Sequence, residues 1–135
     1  MALSSFQITT VRSVSLAMVG LCCLTYAVLA MAQDRPDPFL WYVPGVAGIL
    51  ASIGIFISFA LAGRQEILQA TDELYRMVNH RAQRHSYWVA LALYPLFAVL
   101  RGFDVVSINT SLAAMGTLTG ASYLLLVTLY EWRLS

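Results

Sequence analysis

The chain has 135 residues, of which 59% are hydrophobic and only 11% are charged. A soluble domain carries roughly 25% charged residues, so the composition excludes an ordinary soluble domain and predicts an integral membrane protein. The formal net charge is +1, which gives no indication of a nucleic-acid partner. We therefore expect one all-α domain over residues 1–135, surrounded by the lipid bilayer.

The first apolar run covers residues 14–32 and is long enough to cross a bilayer as a helix. It ends in Ala30-Met31-Ala32 before Gln33, which has the form of a signal-peptidase site. Two interpretations therefore compete: a signal peptide cleaved from residues 1–32, or a retained first transmembrane helix. The run is longer than a usual signal-peptide core and Arg12 is its only flanking base, so the pattern favours retention.

The second apolar run, residues 39–62, has small residues that recur at four-residue spacing. Gly48 precedes Ser52, and Gly54 precedes Ser58, by one helical turn. In lipid, this spacing leaves a groove on a helix face and lets a second backbone approach closely. The pattern predicts a helix-packing face, although Gly and Ala are also simply common in membrane helices.

Residues 64–86 form the one long polar segment and contain four of the eight arginines and both histidines. Its apolar residues recur at three- and four-residue spacing, which predicts an amphipathic helix at the membrane surface. Arg76, Arg81 and Arg84 are expected to contact anionic lipid or a partner protein. The alternative is a solvated segment that only sets the membrane topology.

This segment also resembles a known pattern. Asp72-Glu73-Leu74-Tyr75-Arg76, followed by Ala82 and by Ser86-Tyr87-Trp88 at the start of an apolar helix, is similar to small bacterial four-helix membrane proteins of unknown function. In those proteins an acidic pair opens an amphipathic helix that leads into a transmembrane span. The resemblance implies architecture only, because the family has no assigned chemistry from which a site residue could be carried over.

The remaining apolar runs predict a second helical hairpin. The third run contains Pro95, and the fourth contains Gly116-x-x-x-Gly120, the spacing of tightly packed helix pairs in lipid. The sequence therefore predicts four transmembrane helices, arranged as two hairpins joined by a cytoplasmic amphipathic helical segment over 64–86. The expected helices are 14–32, 39–62, 84–103 and 110–131.

The arginines also predict an orientation. With four spans, both chain ends and the segment 64–86 share one side, which then holds six of the eight arginines. Loops rich in arginine stay in the cytoplasm. We expect a multi-pass protein of the bacterial inner membrane with both termini in the cytoplasm.

No span carries a charged residue near its centre, where a coupled transporter would place one. His80 and His85 are the candidate cofactor ligands, but they point about 140° apart on a helix and cannot readily share a metal ion. A structural role for each histidine is the alternative, and the sequence favours it. We predict no enzyme activity, catalytic residue, metal site or bound cofactor.

These patterns favour a non-enzymatic accessory or assembly subunit that packs against a larger membrane protein complex. The expected partner is another integral membrane protein or a second copy of this chain. One alternative is an oligomeric small-molecule channel or transporter lined by Pro95, Thr117 and Thr119. Another is a membrane sensor coupled to a cytoplasmic regulator through residues 64–85.

Overall fold

The computed structural model describes residues 4–38 and 41–134, and within them the chain is helical with no strands. The all-α prediction is therefore confirmed for this part of the chain, whereas the predicted start of the second helix at 39 lies outside it. Five helices are described. They are α1 (Ser5–Gln33), α2 (Val43–Leu61), α3 (Arg64–Ala70), α4 (Glu73–Gly102) and α5 (Ile108–Leu134).

Helix α1 begins well before the apolar run that predicted it. The Ser4 side chain accepts a hydrogen bond from the Gln7 backbone, and the Gln7 side chain accepts one from the Ser4 backbone. This capping box satisfies backbone groups that would otherwise be unpaired and so fixes the start of the helix. The first helix consequently carries Arg12 within it rather than as a flanking charge.

The polar segment and the third apolar run are divided differently from the prediction. A break at Thr71 and Asp72 separates the short α3 from α4, and the Asp72 side chain caps α4 by accepting the Tyr75 N–H at 3.1 Å. From Glu73 onward no Gly or Pro occurs before Pro95, so the helix has no reason to stop at the membrane surface. The amphipathic half and the apolar half of α4 therefore form one continuous helix, which is roughly 45 Å long at 1.5 Å per residue.

Helix α1 lies at the centre of the bundle. It packs most extensively against α5 and also against α2 and α3, while α4 packs against α5. At one end of the bundle, the Asp34 carboxylate accepts the Ser107 N–H at 2.7 Å; we call this the loop end. At the opposite end Arg12 on α1 meets Glu131 on α5, so the two helices run antiparallel. The start of α1, the end of α5, α3 and the start of α4 lie at this second end, the arginine-rich end.

The packed interior is small and lies near the arginine-rich end. Val78 and Ala82 on α4 form a buried cluster with Val127 on α5, and Leu16 on α1 packs against that cluster. The first half of α4 therefore lies alongside α1 and α5 and does not project beyond them.

Three helices, α1, α2 and α5, are long and apolar enough to cross a membrane. This agrees with the prediction of transmembrane helices for three of the four apolar runs. Helix α4 has 30 residues, but its first half carries arginines and histidines, so its mean hydropathy falls below that of the other three.

Candidate functional site: a buried ion pair and three open surfaces

The most polar buried feature is an ion pair between α1 and α5. Nη2 of Arg12 donates to Oε1 of Glu131 at 2.6 Å, and the two residues are only 5% and 8% exposed. The Ser13 hydroxyl donates to the other carboxylate oxygen of Glu131. Both oxygens of the carboxylate therefore have donors, which is the condition under which a charge pair tolerates burial.

Arg12 also reaches α3 and α4. Its Nη1 donates to the Ala70 carbonyl at 2.9 Å, and its guanidinium lies 3.9 Å from the centroid of the Tyr75 ring. Carbonyls at a helix C-terminus carry partial negative charge and the face of an aromatic ring attracts cations, so both contacts suit an arginine. One side chain thus joins four helices at the arginine-rich end.

The sequence patterns placed these two residues but did not pair them. Arg12 was expected to flank the first span, and Glu131 is the last residue of the predicted fourth helix. The available signal was that opposite charges stand at the ends of two runs that share one side of the membrane. Their separation of 119 residues along the chain leaves no local spacing from which to infer the contact.

The first open surface is the basic face of α4, which carries Arg76, Arg81 and Arg84. All three side chains are exposed. Within the described residues the one ion pair at 4.0 Å or less is Arg12–Glu131, so these three arginines have no carboxylate at that distance. Their expected role in contacting lipid or a partner stays a prediction, and their exposure leaves them available for it.

The two histidines on α4 have different surroundings. His80 is exposed. Nδ1 of His85 lies 2.8 Å from the Arg81 carbonyl and 3.2 Å from the Tyr130 hydroxyl, which accounts for one ring nitrogen within the protein. Across the described parts of the chain, no group of three or more His, Cys, Asp or Glu residues is placed to hold a metal ion.

The second open surface is α2. Among its residues only Ser58 is buried, while large apolar side chains such as Ile49 and Phe56 are exposed, Phe56 by 74%. A Cβ built on Gly48 or on Gly54 would meet no atom within 4 Å. The predicted Gly48–Ser52 row of α2 is thus not filled by a close helix of the same chain, whereas the Gly54–Ser58 row ends at the buried Ser58.

The serines of these two rows bond within their own helix. The Ser52 hydroxyl donates to the Gly48 carbonyl at 2.8 Å, and the Ser58 hydroxyl donates to the Ile55 carbonyl at 2.7 Å. Their hydroxyl groups are therefore satisfied, and a helix that approached the Gly48–Ser52 row would meet a smooth, small surface.

The third open surface is a groove of about 540 Å³ between α4 and α5. Gly116 and Gly120, the predicted packing pair on α5, have no neighbour within 4 Å of a built Cβ, and Gly120 lines the groove. The lining residues are Gln83, Ser86, Tyr87, Ala90, Thr119, Gly120 and Tyr123.

The close helix contact that the sequence patterns missed is at Gly20. A Cβ on Gly20 would lie 3.0 Å from Leu125 and 3.3 Å from Leu124, so α1 and α5 approach closely there. Gly20 has no small residue four positions away in a matching row, since Leu16 and Leu24 flank it. The four-residue spacing of small residues therefore did not predict Gly20, where the close approach of α1 and α5 requires a glycine.

The residues proposed to line a channel are Pro95, Thr117 and Thr119. The Thr117 and Thr119 hydroxyls each donate to a carbonyl of their own helix at 2.8 Å, and Pro95 is exposed on α4. Only Thr119 lines the α4–α5 groove. The channel role of these three residues stays a prediction.

At the loop end, the Asp34 carboxylate is bonded to the backbone of Ser107. Asp34, in the left-handed region at φ 46°, ends α1, and the pKa of its carboxyl group is held below the ordinary value mainly by the hydrogen bond from the Ser107 N–H. This contact joins the end of α1 to the start of α5.

The described residues therefore contain one buried ion pair, Arg12–Glu131, and three open surfaces on which another molecule can bind. No known protein family, curated protein or solved structure matches the chain.

Proposed function

We propose that the protein is a non-enzymatic accessory subunit of the bacterial inner membrane that packs against a larger integral-membrane complex. Its four spans are α1, α2, the second half of α4, and α5. Both termini and α3 lie on the cytoplasmic side. The partner binds along the Gly48–Ser52 row of α2.

The membrane placement of α4 follows from its residue pattern. Residues 87–100 are apolar, and Tyr87 and Trp88 at their start are exposed, as side chains of the headgroup layer are. Arg101 at the far end can extend its side chain to the opposite interface. The arginine-rich end of the bundle gathers six of the eight arginines, which supports its assignment to the cytoplasm.

The observation that carries the accessory role is the exposure of α2. Its side chains are apolar around most of the helix, yet its one buried residue is Ser58, and its glycines face open space. Helix association in lipid depends on close packing at small residues rather than on hydrophobicity. A second transmembrane helix can approach the Gly48–Ser52 row more closely than it can approach a surface of leucines.

The rest of the bundle supports this assignment because it is complete without that face. The ion pair, the Gly20 contact and the Val127 cluster join α1, α4 and α5 to one another. None of these contacts uses the outward side of α2, so the helix is free to bind elsewhere without opening the interior.

The test compares two leucine substitutions on α2. Gly48→Leu fills the proposed face, whereas Ala60→Leu adds a leucine at an exposed position roughly 120° around the same helix. Tagged wild type, extracted in mild detergent, is expected to retain one membrane protein in a fixed ratio. Gly48→Leu should lose it and Ala60→Leu should keep it.

Two results would overturn the proposal. One is a wild-type protein that runs as a monomer free of any partner after cross-linking in the native membrane. The other is equal retention by the two variants. If the retained protein is a second copy of this chain, the interface stands but the role as subunit of a larger complex does not.

A further inference from the structure

The basic face of α4 lies beside two apolar helices rather than beyond them. Val78 and Ala82 pack against Val127 of α5, and Leu16 of α1 packs against the same cluster, so this part of α4 lies beside two apolar spans. The apolar part of α4 covers roughly 20 Å, whereas the hydrocarbon layer is roughly 30 Å thick. On the outer side of α4 the polar turns around Arg84 are therefore brought close to the hydrocarbon.

Cations at this depth need a counter-charge. An unpaired charge near hydrocarbon is unfavourable, and arginine side chains relieve it by extending toward headgroups. Within the described residues, Arg76 and Arg84 have no carboxylate at 4.0 Å or less. The chain itself thus leaves their charge to be matched by something outside it, and the phosphate groups of the surrounding leaflet are at the right depth.

The α4–α5 groove is aligned with part of this basic face. Its α4 residues Gln83, Ser86, Tyr87 and Ala90 follow helical spacing along one stripe. Arg76 stands seven residues before Gln83, which places it on the same stripe and roughly 10 Å nearer the arginine-rich end. The stripe thus runs from a cation to an open, largely apolar groove.

The other arginines differ in their angle to the groove. Arg84 lies roughly 100° around the helix from Gln83. The exposed His80 lies between Gln83 and Arg84 in this direction. Arg81 lies roughly 160° from Gln83 and so faces away from the groove. We call the side of the basic face that carries Arg76 and Arg84 the groove side, and the side that carries Arg81 the far side.

We propose that the groove and the adjacent cations form a binding site for one anionic phospholipid. The phosphate lies between Arg76 and Arg84, next to His80, and one acyl chain lies in the groove against Ala90 and Gly120. The site rests on the proposed membrane placement of α4, but it is independent of any partner on α2.

The first experiment uses the wild-type protein in a neutral detergent. Thermal unfolding is followed while phosphatidylglycerol, phosphatidylcholine or soluble glycerol phosphate is added. The site predicts saturable stabilisation by phosphatidylglycerol at concentrations at which the other two give little. Equal stabilisation by the two lipids would overturn it, and so would equal stabilisation by glycerol phosphate, which has the headgroup charge but no acyl chain.

The second experiment separates the groove side from the far side. Arg76→Gln and Arg84→Gln should each raise the half-saturating concentration of phosphatidylglycerol about fivefold, the value expected for one arginine near an anionic surface. Arg81→Gln is the matched control and should change it little. If Arg81→Gln weakens binding as much as the other two, the basic face acts only as a diffuse charge and the proposed site is wrong.

A substitution within the groove tests the acyl-chain position. A Cβ at Gly120 would meet no atom within 4 Å, so we expect Gly120→Leu to fill the groove without forcing the helices apart. It should abolish the lipid-dependent stabilisation while the unfolding temperature without lipid stays close to that of the wild type. Unchanged lipid binding would contradict the proposal. Partner retention by Gly48→Leu is a separate measurement, so failure of the lipid site and failure of the accessory role remain distinguishable.

Discussion

Helices α1 and α2 have similar hydropathy and opposite surroundings. Both are apolar enough to span a membrane, yet α1 packs against three other helices, whereas α2 packs chiefly against α1 and buries only Ser58. The difference comes from particular residues. Helix α1 carries Arg12, which has a partner on α5, and Gly20, which permits close approach. Hydropathy thus decides that a helix enters lipid, but not what it packs against.

The ion pair is the feature that distinguishes α1 most strongly. Removal of one partner leaves the other charge buried, so Arg12→Leu or Glu131→Leu should each lower the free energy of unfolding by about 3–5 kcal/mol. The check is unfolding of each purified variant in detergent by denaturant, against the wild type.

The double variant Arg12→Leu/Glu131→Leu sharpens this prediction. It removes both charges together, so it should be less destabilised than either single variant. If each single variant costs less than about 1 kcal/mol, which is the range of exposed pairs, the pair does not hold α1 to α5.

The Gly20 contact gives the next largest effect. Gly20→Leu would place its Cβ about 3.0 Å from Leu125, so we expect a loss of about 1–3 kcal/mol from overpacking. Gly54→Leu on α2 meets no atom within 4 Å of the new Cβ and is expected to leave the stability nearly unchanged. Comparable losses at the two positions would remove the proposed difference between α1 and α2.

The smallest effect concerns the loop end, where Asp34 joins α1 to α5. The pKa of Asp34 is lowered in the folded state by the Ser107 N–H, so its contribution to stability is present above the ordinary carboxyl pKa of about 3.9. This contribution is lost as the pH falls through the lower folded-state value. Asp34→Asn should therefore be less stable than the wild type at pH 7, with the difference narrowing in strong acid. A difference that does not depend on pH would contradict this assignment.

The sequence predicted which segments are helical better than it predicted which helices pack together. Long apolar runs predicted helices at α1, α2 and α5 because hydrophobicity over a whole span is a local property of the sequence. The start of α1 was placed too late, although Ser4 and Gln7 form a capping-box pattern that could have extended it. The predicted helix bounds divided the polar segment from the third run because charge suggested a boundary where no helix-breaking residue occurs, although the resembling proteins have an amphipathic helix that leads into a span.

The candidate site could be predicted less well than the fold. Arginines on the polar segment were recognised from composition, and Arg76, Arg81 and Arg84 are exposed in the structure. The pairing of Arg12 with Glu131 and the contact at Gly20 depend on which helices become neighbours. That arrangement is set by the whole chain, so residue spacing within one helix carries no information about it.

Site-directed photo-cross-linking along α2 in intact membranes tests the central claim most directly. A photoreactive side chain placed at Gly48 or Ser52 should cross-link one membrane protein of defined mass. The same group at the exposed positions Ile53 and Ile57, roughly 140–180° around the helix from Gly48, should cross-link lipid or nothing. Protein cross-links of equal yield at all four positions, or none at Gly48 and Ser52, would contradict the account of α2 as a docking helix.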